Sequence, residues 1–144
     1  MDLKIKMLDA SLPAPRFAKS GDAGLDLASA VDAEILPGND RKLIPTGVAV
    51  GIPPGYAGLI LPRSGLALNH GITCLNSPGL IDSGYRGELK CILVNTDPKQ
   101  SFFVKRGDRV AQLVIIEVPQ ITLLPVDELE ATERGEQGFG HSGR

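Results

Sequence analysis

The sequence has no tryptophan, and aromatic residues make up only 4% of its 144 positions. A core built on large aromatic rings is therefore excluded, and the hydrophobic 42% of the chain must pack mainly as aliphatic side chains. Turn-forming residues are abundant instead, with 17 glycines and 11 prolines. A chain of this length is sufficient for one domain with its own core, so the composition predicts a single, turn-rich, all-β domain.

The chain also lacks a strong net charge, a long hydrophobic run and a cysteine motif. The formal net charge of −2 provides no basic field, so we expect no stable binding to nucleic acid. No run reaches membrane-spanning length, and residues 1–6 lack the apolar stretch of a signal peptide, so we expect no membrane association and a cytoplasmic location. Cys74 and Cys91 form no C-x-x-C pair, which disfavours a structural zinc site and predicts two buried, reduced thiols.

Short apolar or alternating runs recur at strand length and are separated by turn pairs such as Pro54-Gly55. Many strands with close turns predict a barrel or a sandwich. Only residues 64–69 and 126–132 have a helical pattern, and both segments are too short to be stable unless they pack on something else. The predicted strands are residues 3–8, 43–52, 57–61, 89–94, 101–104, 110–118 and 121–124.

The composition shifts after the last predicted strand. Acidic residues come first, and residues 134–144 then form a glycine-rich arm that begins with Arg134 and carries Phe139. Glycine N–H groups can enclose phosphate oxygens, a guanidinium adds charge-assisted hydrogen bonds and an aromatic ring can stack on a base, although a glycine-rich terminus is also typical of a frayed tail. We therefore predict a β-barrel domain over residues 1–125, and a polar linker with a nucleotide-clamping arm over residues 126–144. Fully extended, this second segment would reach about 60 Å, far enough to serve a neighbouring subunit.

The segment 79–89 is predicted to form a hairpin whose turn presents polar groups. Asp82 lies at the edge of that turn, where its carboxylate can hold a water molecule or can instead close an Asx turn on its own backbone. Tyr85 also has two interpretations, because an ordinary half-buried strand aromatic has the same sequence context as a binding residue.

Three further segments supply cations and polar groups beside strands. Arg63 and Ser64 follow a strand and open a short helix, where free N–H groups face an anion, although capping alone would explain the serine. Asp26 lies between two apolar residues of an extended segment, so its carboxylate can hold metal-bound water or accept from an arginine. Arg109 and Gln112 begin another strand, where each can bind an anion or simply lie at a solvated edge.

Taken in order, these segments resemble the five sequence motifs of the trimeric deoxyuridine triphosphatases (dUTPases). The matching sequences are Ala-Gly-Leu-Asp-Leu from residue 23, Pro-Arg-Ser-Gly-Leu-Ala from residue 62, Gly-Leu-Ile-Asp-Ser-Gly-Tyr-Arg-Gly-Glu from residue 79, Gly-Asp-Arg-Val-Ala-Gln from residue 107 and Arg-Gly-Glu-Gln-Gly-Phe-Gly from residue 134. The resemblance implies a distorted jelly-roll β-barrel with one short helix. It also implies a homotrimer with shared active sites, in which the C-terminal arm is exchanged between subunits.

The same resemblance implies an enzyme, a dUTP diphosphatase that hydrolyses dUTP to dUMP and pyrophosphate with Mg²⁺. Water would attack the α-phosphorus, and Asp82 would be the base that orients and deprotonates it. Asp26 would hold water ligands of a magnesium ion whose other ligands are mainly substrate phosphates. Such an activity supplies dUMP for dTMP synthesis and keeps uracil out of DNA.

The resemblance also assigns a substrate contact to each motif. The residues that would contact dUTP are Arg63, Ser64, Gly65 and Gln112 at the phosphates, Asp82 at the α-phosphate, Asn76, Leu80 and Ile81 at uracil, Tyr85 at the deoxyribose, Lys90 just past the hairpin, and Arg134, Phe139 and Ser142 in the closing arm. Arg109 would support its strand by pairing with a carboxylate. The arm departs from the family pattern at Gln137, His141 and Ser142, and Gly84 stands where many members carry an acidic residue.

Two other functions share parts of this pattern. The dCTP deaminases have the same fold and bind a related nucleotide, but they need a glutamate base near the pyrimidine C4, and the spacing of Asp82 and Tyr85 favours hydrolysis. A non-catalytic trimeric binding module can also keep the barrel, but it has no need of Asp26 together with these two residues.

Overall fold

The computed structural model describes residues 1–133, 135 and 136, which fold mainly into short antiparallel β-strands. The strands are β1 (Lys4–Met7), β2 (Leu25–Ala28), β3 (Ala33–Ile35), β4 (Arg41–Gly51), β5 (Tyr56–Leu61), β6 (Ile72–Cys74), β7 (Gly79–Ile81), β8 (Glu88–Asn95), β9 (Phe102–Val104) and β10 (Arg109–Glu117). One helix, α1 (Ser64–His70), confirms the helical pattern at residues 64–69. Within the described residues, no helix is long and apolar enough to cross a bilayer.

Two four-stranded sheets and one two-stranded sheet enclose the core. The first sheet has the order β1-β4-β8-β6, the second has the order β2-β10-β5-β7, and the third pairs β3 with β9. Aliphatic side chains from all three sheets fill the space between them, such as Leu93, Leu113 and Ile35, each at most 1% exposed. Burial of one such side chain stabilises the fold by about 1.5–3 kcal/mol. The predicted all-β fold with an aliphatic core is confirmed.

The two cysteines lie on neighbouring strands inside this core, Cys74 on β6 and Cys91 on β8, and both are free thiols. Burial raises the pKa of Cys74 to about 11. Burial, with a smaller contribution from Cys74, raises the pKa of Cys91 to about 12. Both thiols therefore stay protonated at neutral pH, and the prediction of buried thiols is confirmed.

The segment 79–89 is not the predicted β-hairpin. β7 pairs with β5 of the second sheet, with Leu80 opposite Leu59, whereas β8 pairs with β4 and β6 of the first sheet. The loop between β7 and β8 therefore crosses from one sheet to the other. Two strands joined by a short polar loop have the same local pattern in both arrangements, and only the tertiary pairing distinguishes them.

Two predictions near the end of the chain are also wrong. Residues 121–124 form no strand and residues 126–132 form no helix. Leu123 and Leu129 in these segments are 84% and 89% exposed, so they do not pack on the barrel of their own chain. Without such packing, a short segment gains too little to offset its loss of conformational entropy. β3 and β6 were not predicted from the sequence, because strands of 3 residues are too short to show a clear period.

Arg106, in the turn between β9 and β10, fixes the N-terminal segment against the barrel. Its Nη2 lies 2.7 Å from Asp9 Oδ2, and its Nη1 donates to the Ala30 carbonyl at 2.6 Å. A hydrogen bond from Ser11, and then the contact with Arg106, hold the pKa of Asp9 below its usual range. The chain that follows this network, including Pro13 and Phe17, lines a cavity together with Asp26 and Arg109.

Candidate active site

The register of the second sheet brings three of the predicted segments together. Gln112 on β10 lies opposite Asp26 on β2 and, on its other side, opposite Leu61 at the end of β5. Side chains at paired positions of neighbouring strands share one face of a sheet. Asp26, Gln112 and the residues that follow Leu61 therefore meet at one edge of the barrel.

Asp26 is the charged centre of this group. Its Oδ1 lies 3.3 Å from Arg63 Nε and its Oδ2 lies 3.1 Å from Arg109 Nη1, and only 18% of its side chain is exposed. Arg63 also donates from Nη1 to the Arg109 carbonyl at 3.0 Å. A β-bulge between Arg109 and Ala111 interrupts the pairing of β10 with β2 at this point. The Asp26 carboxylate thus accepts a hydrogen bond from Arg109 and forms an ion pair with Arg63, and Arg109 supports its strand through this carboxylate as expected.

Gln112 is constrained from two sides. Its Nε2 donates to the Pro62 carbonyl at 3.0 Å, which ties β10 to the loop that leads to Arg63. A Cβ on Gly24 would lie 2.6 Å from Gln112 Oε1, so no side chain fits there unless the amide moves. Gly24 therefore belongs to the site, although it was not predicted as a site residue. Its position two residues before Asp26 was the signal that could have identified it.

These residues line a cleft of about 650 Å³. Its acidic side chains, Asp22 and Asp26, are matched in number by its basic side chains, Arg63 and Arg109. A cleft of this volume suits a small-molecule ligand with a polar tail. Because its formal charges balance, the cleft alone does not offset the several negative charges of a triphosphate.

Helix α1 forms one wall of the cleft. Ser64 and Gly65 of its first turn line it and are exposed. The capping interpretation of Ser64 is wrong, because the N-cap position is Arg63 and no side-chain capping hydrogen bond is formed. Asn69 and His70 of the last turn also line the cleft and were missed, although their polar character beside Leu-Ala-Leu was a usable signal.

A second cavity of about 250 Å³ lies beside the loop between β7 and β8 and includes Asp82 and Tyr85 in its lining. The Tyr85 N–H donates to the Asp82 carbonyl at 3.1 Å and closes a turn. The Asp82 side chain is exposed, and within residues 1–133 its carboxylate accepts no hydrogen bond and forms no ion pair. Within these residues, the Asp82 side chain therefore does not close an Asx turn.

Tyr85 and Glu88 are connected across the same loop. The Tyr85 hydroxyl donates to the Glu88 carbonyl at 3.0 Å. Tyr85 lies in the loop between β7 and β8 and is 42% exposed, so it is not a strand aromatic. The Glu88 carboxylate accepts from the Gly47 N–H at 2.9 Å and lies 3.7 Å from Lys90 Nζ. Glu88 was not among the predicted site residues, although two charged residues at alternate positions of a strand share one face.

The two cavities share no lining residue within one chain, so the predicted site residues fall into two groups. The cleft contains Asp26, Arg63, Ser64, Gly65 and Gln112, and the second cavity contains Leu80, Ile81, Asp82, Tyr85 and Lys90. Asn76 lines neither of them, although its Nδ2 lies near the start of β7 at Gly79. Arg134, Phe139 and Ser142 of the predicted arm lie outside the described residues, as do Gln137 and His141.

The packed sheets and the short helix define the protein as a distorted jelly-roll barrel. The sequence profile of the dUTPase family matches residues 10–143. The chain therefore belongs to the dUTPase family, as its five motifs predicted.

Relatives named deoxyuridine 5'-triphosphate nucleotidohydrolase match nearly the whole chain. The protein from Thermobifida fusca is 50% identical over 98% of this chain and 78% of its own length, and that from Corynebacterium glutamicum is 48% identical over 99% and 95%. A mutant dUTPase of Staphylococcus bacteriophage 80alpha, solved with dUpNHpp, has a TM-score of 0.90 at 32% identity over 99% of each chain. A mutant dUTPase of phage phi11 of S. aureus, described with a structural Mg(II) ion, has a TM-score of 0.83 at 28% identity over 91% of this chain and 100% of its own. These names confirm the predicted enzyme class, dUTP diphosphatase.

Proposed function

We propose that the chain hydrolyses dUTP to dUMP and pyrophosphate by attack of water on the α-phosphorus. The observation that carries this proposal is Asp82, whose exposed carboxylate borders a cavity and engages no donor among residues 1–133. A carboxylate in this state can orient a water molecule and accept its proton. Relatives about half identical to the chain act on dUTP by name, which supports the choice of substrate. In a cell, such an enzyme in the cytoplasm would supply dUMP for dTMP synthesis and keep uracil out of DNA.

The cleft would hold the triphosphate. Arg63, Ser64 and Gly65 would bind phosphate oxygens through side chains and the free backbone N–H groups of the first helical turn. The Gln112 amide has a second N–H besides the one that Pro62 accepts, and this N–H can reach toward the same oxygens. Donors that meet charge spreading over the phosphates in the transition state contribute to catalysis as well as to binding.

The residues of the cleft fit a magnesium ion held through water. Each carboxylate oxygen of Asp26 contacts one arginine, and because such an oxygen can accept a second hydrogen bond, both can still bind metal-bound water. No group of three His, Cys, Asp or Glu side chains suited to a metal occurs among the described residues, so the remaining ligands would be phosphates and water. When bound, Mg²⁺ supplies the positive charge that the balanced cleft lacks.

The second cavity would hold the nucleoside. β7 is the edge strand of its sheet, so backbone groups of Leu80 and Ile81 that point away from β5 are available to read the N3 donor and O4 acceptor of uracil, with the Asn76 amide nearby. Cytosine would leave these groups unpaired, which is costly in a closed site. Tyr85 would pack beneath the deoxyribose, where a ribose 2′-hydroxyl would collide with the ring. Lys90 would add a contact from the neighbouring strand.

We propose that each active site is assembled from different subunits of a homotrimer, because the cleft and the second cavity share no residue within one chain. Residues 1–125 would form the barrel domain, and residues 126–144 would form a linker and arm that close over a neighbouring site. Leu123 and Leu129 do not pack on their own barrel, which suits a segment that crosses to another subunit. In the closed site, Phe139 would stack on uracil, and Arg134 and Ser142 would reach the outer phosphates.

Removal of residues 134–144 is expected to lower the turnover of dUTP by about tenfold or more, because closure excludes bulk water and completes the phosphate contacts. The truncated chain should still form a trimer, as measured by light scattering, and should keep the melting temperature of the full chain, as measured by calorimetry, because the deleted residues lie outside the barrel domain. Full activity of the truncated chain would contradict the role of the arm.

A substrate panel with and without magnesium tests the proposed function most directly. Pyrophosphate release from dUTP is expected with Mg²⁺, should fall to background in excess EDTA, and should return when Mg²⁺ is restored. UTP, dTTP and dCTP are expected to react at least about tenfold more slowly. Ammonia release from dCTP would instead identify a dCTP deaminase, and nucleotide binding without pyrophosphate release would identify a non-catalytic module.

A further inference from the structure

Gly87, in the loop that carries Asp82 and Tyr85, lies directly against the Tyr85 ring. A Cβ built on Gly87 would lie 2.6 Å from Tyr85 Cζ and 3.0 Å from Tyr85 Cε2. The ring therefore occupies the space that the side chain of any other residue would need. Gly87 has no positive φ, so its backbone conformation does not by itself require glycine. The property that matters at this position is the absence of a side chain.

Further contacts hold the ring in this place. The Tyr85 hydroxyl donates to the Glu88 carbonyl at 3.0 Å, which fixes the tip of the ring beyond its contact with Gly87. Arg86 Nη1 donates to the carbonyls of Ser83 and Tyr85 at 2.6 Å and 2.7 Å, which closes the loop on which the ring stands. The Tyr85 ring therefore lies against the backbone of its own loop, where it lines the second cavity.

We infer that Gly87 determines the specificity for deoxyribose: by allowing the Tyr85 ring to lie against the backbone, it sets the floor of the sugar site. The inference rests on the proposed function, in which this ring packs beneath the deoxyribose. A Tyr85 ring held in one position beneath the sugar leaves room for the hydrogens at C2′ of deoxyribose but would collide with the 2′-hydroxyl of ribose. A side chain at position 87 would displace the Tyr85 ring without removing any group that contacts the phosphates.

The ring, and not the backbone, should move when a methyl group is added at position 87. Tyr85 is exposed on one side, so rotation about its own side-chain bonds can carry the ring toward solvent. Glu88 is held at the start of β8, because it pairs with Ala49 of β4 and its carboxylate accepts from the Gly47 N–H, so its carbonyl should not follow the hydroxyl. The substitution should therefore alter the sugar site while leaving the barrel folded.

Gly87→Ala and Gly84→Ala are a matched pair for the test. Gly84 lies in the same loop, also has no positive φ, and a Cβ there would meet no atom within 4 Å. The measured quantity is the kcat/KM for dUTP divided by that for UTP, with the full chain and Mg²⁺. Gly87→Ala is expected to lower this ratio at least about tenfold, whereas Gly84→Ala should stay within about twofold of the unmodified chain.

Tyrosine fluorescence reports the position of the ring itself. The chain has no tryptophan and only two tyrosines, so in a Tyr56→Phe background the emission comes from Tyr85 alone. Gly87→Ala should make this emission more accessible to acrylamide quenching, and Gly84→Ala should not. Tyr85→Ala, which removes the ring without adding atoms at Gly87, should lower the dUTP to UTP ratio as much as Gly87→Ala does.

An unchanged ratio in folded Gly87→Ala or in Tyr85→Ala would overturn the inference, and so would an unmodified chain that hydrolyses UTP as well as dUTP. An unmodified chain that does not hydrolyse dUTP at all would refute the proposed function, and the inference with it. The two failures are therefore distinguishable by the activity of the unmodified chain alone.

Discussion

Replacement of Asp82 by asparagine is expected to lower kcat for dUTP by about 10²–10⁴ while changing the affinity for the nucleotide little. Asparagine keeps the size and planar shape of aspartate, but it cannot accept a proton from water. The Asp82 carboxylate is exposed and engages no donor or cation within residues 1–133, so the substitution breaks no contact there that holds the loop. The measurements are the single-turnover rate with dUTP and the dissociation constant of dUpNHpp, the nucleotide present in the phage structure.

Asp2→Asn is the control for this experiment, because it makes the same chemical change at an exposed position outside both cavities. It should keep the kcat of the unmodified chain, and both variants should keep its melting temperature. If Asp82→Asn lost binding and turnover in parallel, Asp82 would hold the nucleotide and not the attacking water. If it kept full turnover, Asp82 would have no part in the reaction.

The residues of the site were easier to predict than their arrangement. Glycine and polar residues mark the end of β7, so local sequence predicted a polar turn at Asp82, but the order of the five motifs was needed to assign Asp82 and Tyr85 to one site. It was not sufficient to place Gln112 beside Asp26, because the register of β10 against β2 includes a bulge after Arg109. A shift of one residue would have turned Gln112 to the opposite face of the sheet.

The errors have the same origin in contacts between distant parts of the chain. β7 and β8 have the local pattern of a hairpin, but their partners β5 and β4 precede them by many residues and draw them into different sheets. Residues 121–124 have a strand pattern but no partner strand within the described chain. Gly24 and Gly87 received no role because the reason for glycine at each is a side chain packed where a Cβ would lie, which only the tertiary structure shows.

A mixture of two inactive variants is expected to regain activity, because Asp82 and Arg63 line cavities that share no residue within one chain. Asp82→Asn disables the second cavity and Arg63→Ala disables the cleft, and each parent alone should lose about 10²-fold or more. In the proposed trimer, the second cavity of one chain faces the cleft of the next. Any trimer that contains both variants then has one interface that joins an intact Asp82 to an intact Arg63, so about one third of its sites should work.

Co-expression of the two variants with different affinity tags, followed by purification on both tags, isolates the mixed trimers, whose specific activity should approach about one third of that of the unmodified chain. Arg63→Ala co-expressed with Gln112→Ala is the control, because both residues line the same cleft and no chain in that mixture has an intact cleft. This control should stay at the level of its parents. Activity of the first mixture at the parental level would mean that Asp82 and Arg63 act within one chain, which would contradict a site shared between subunits.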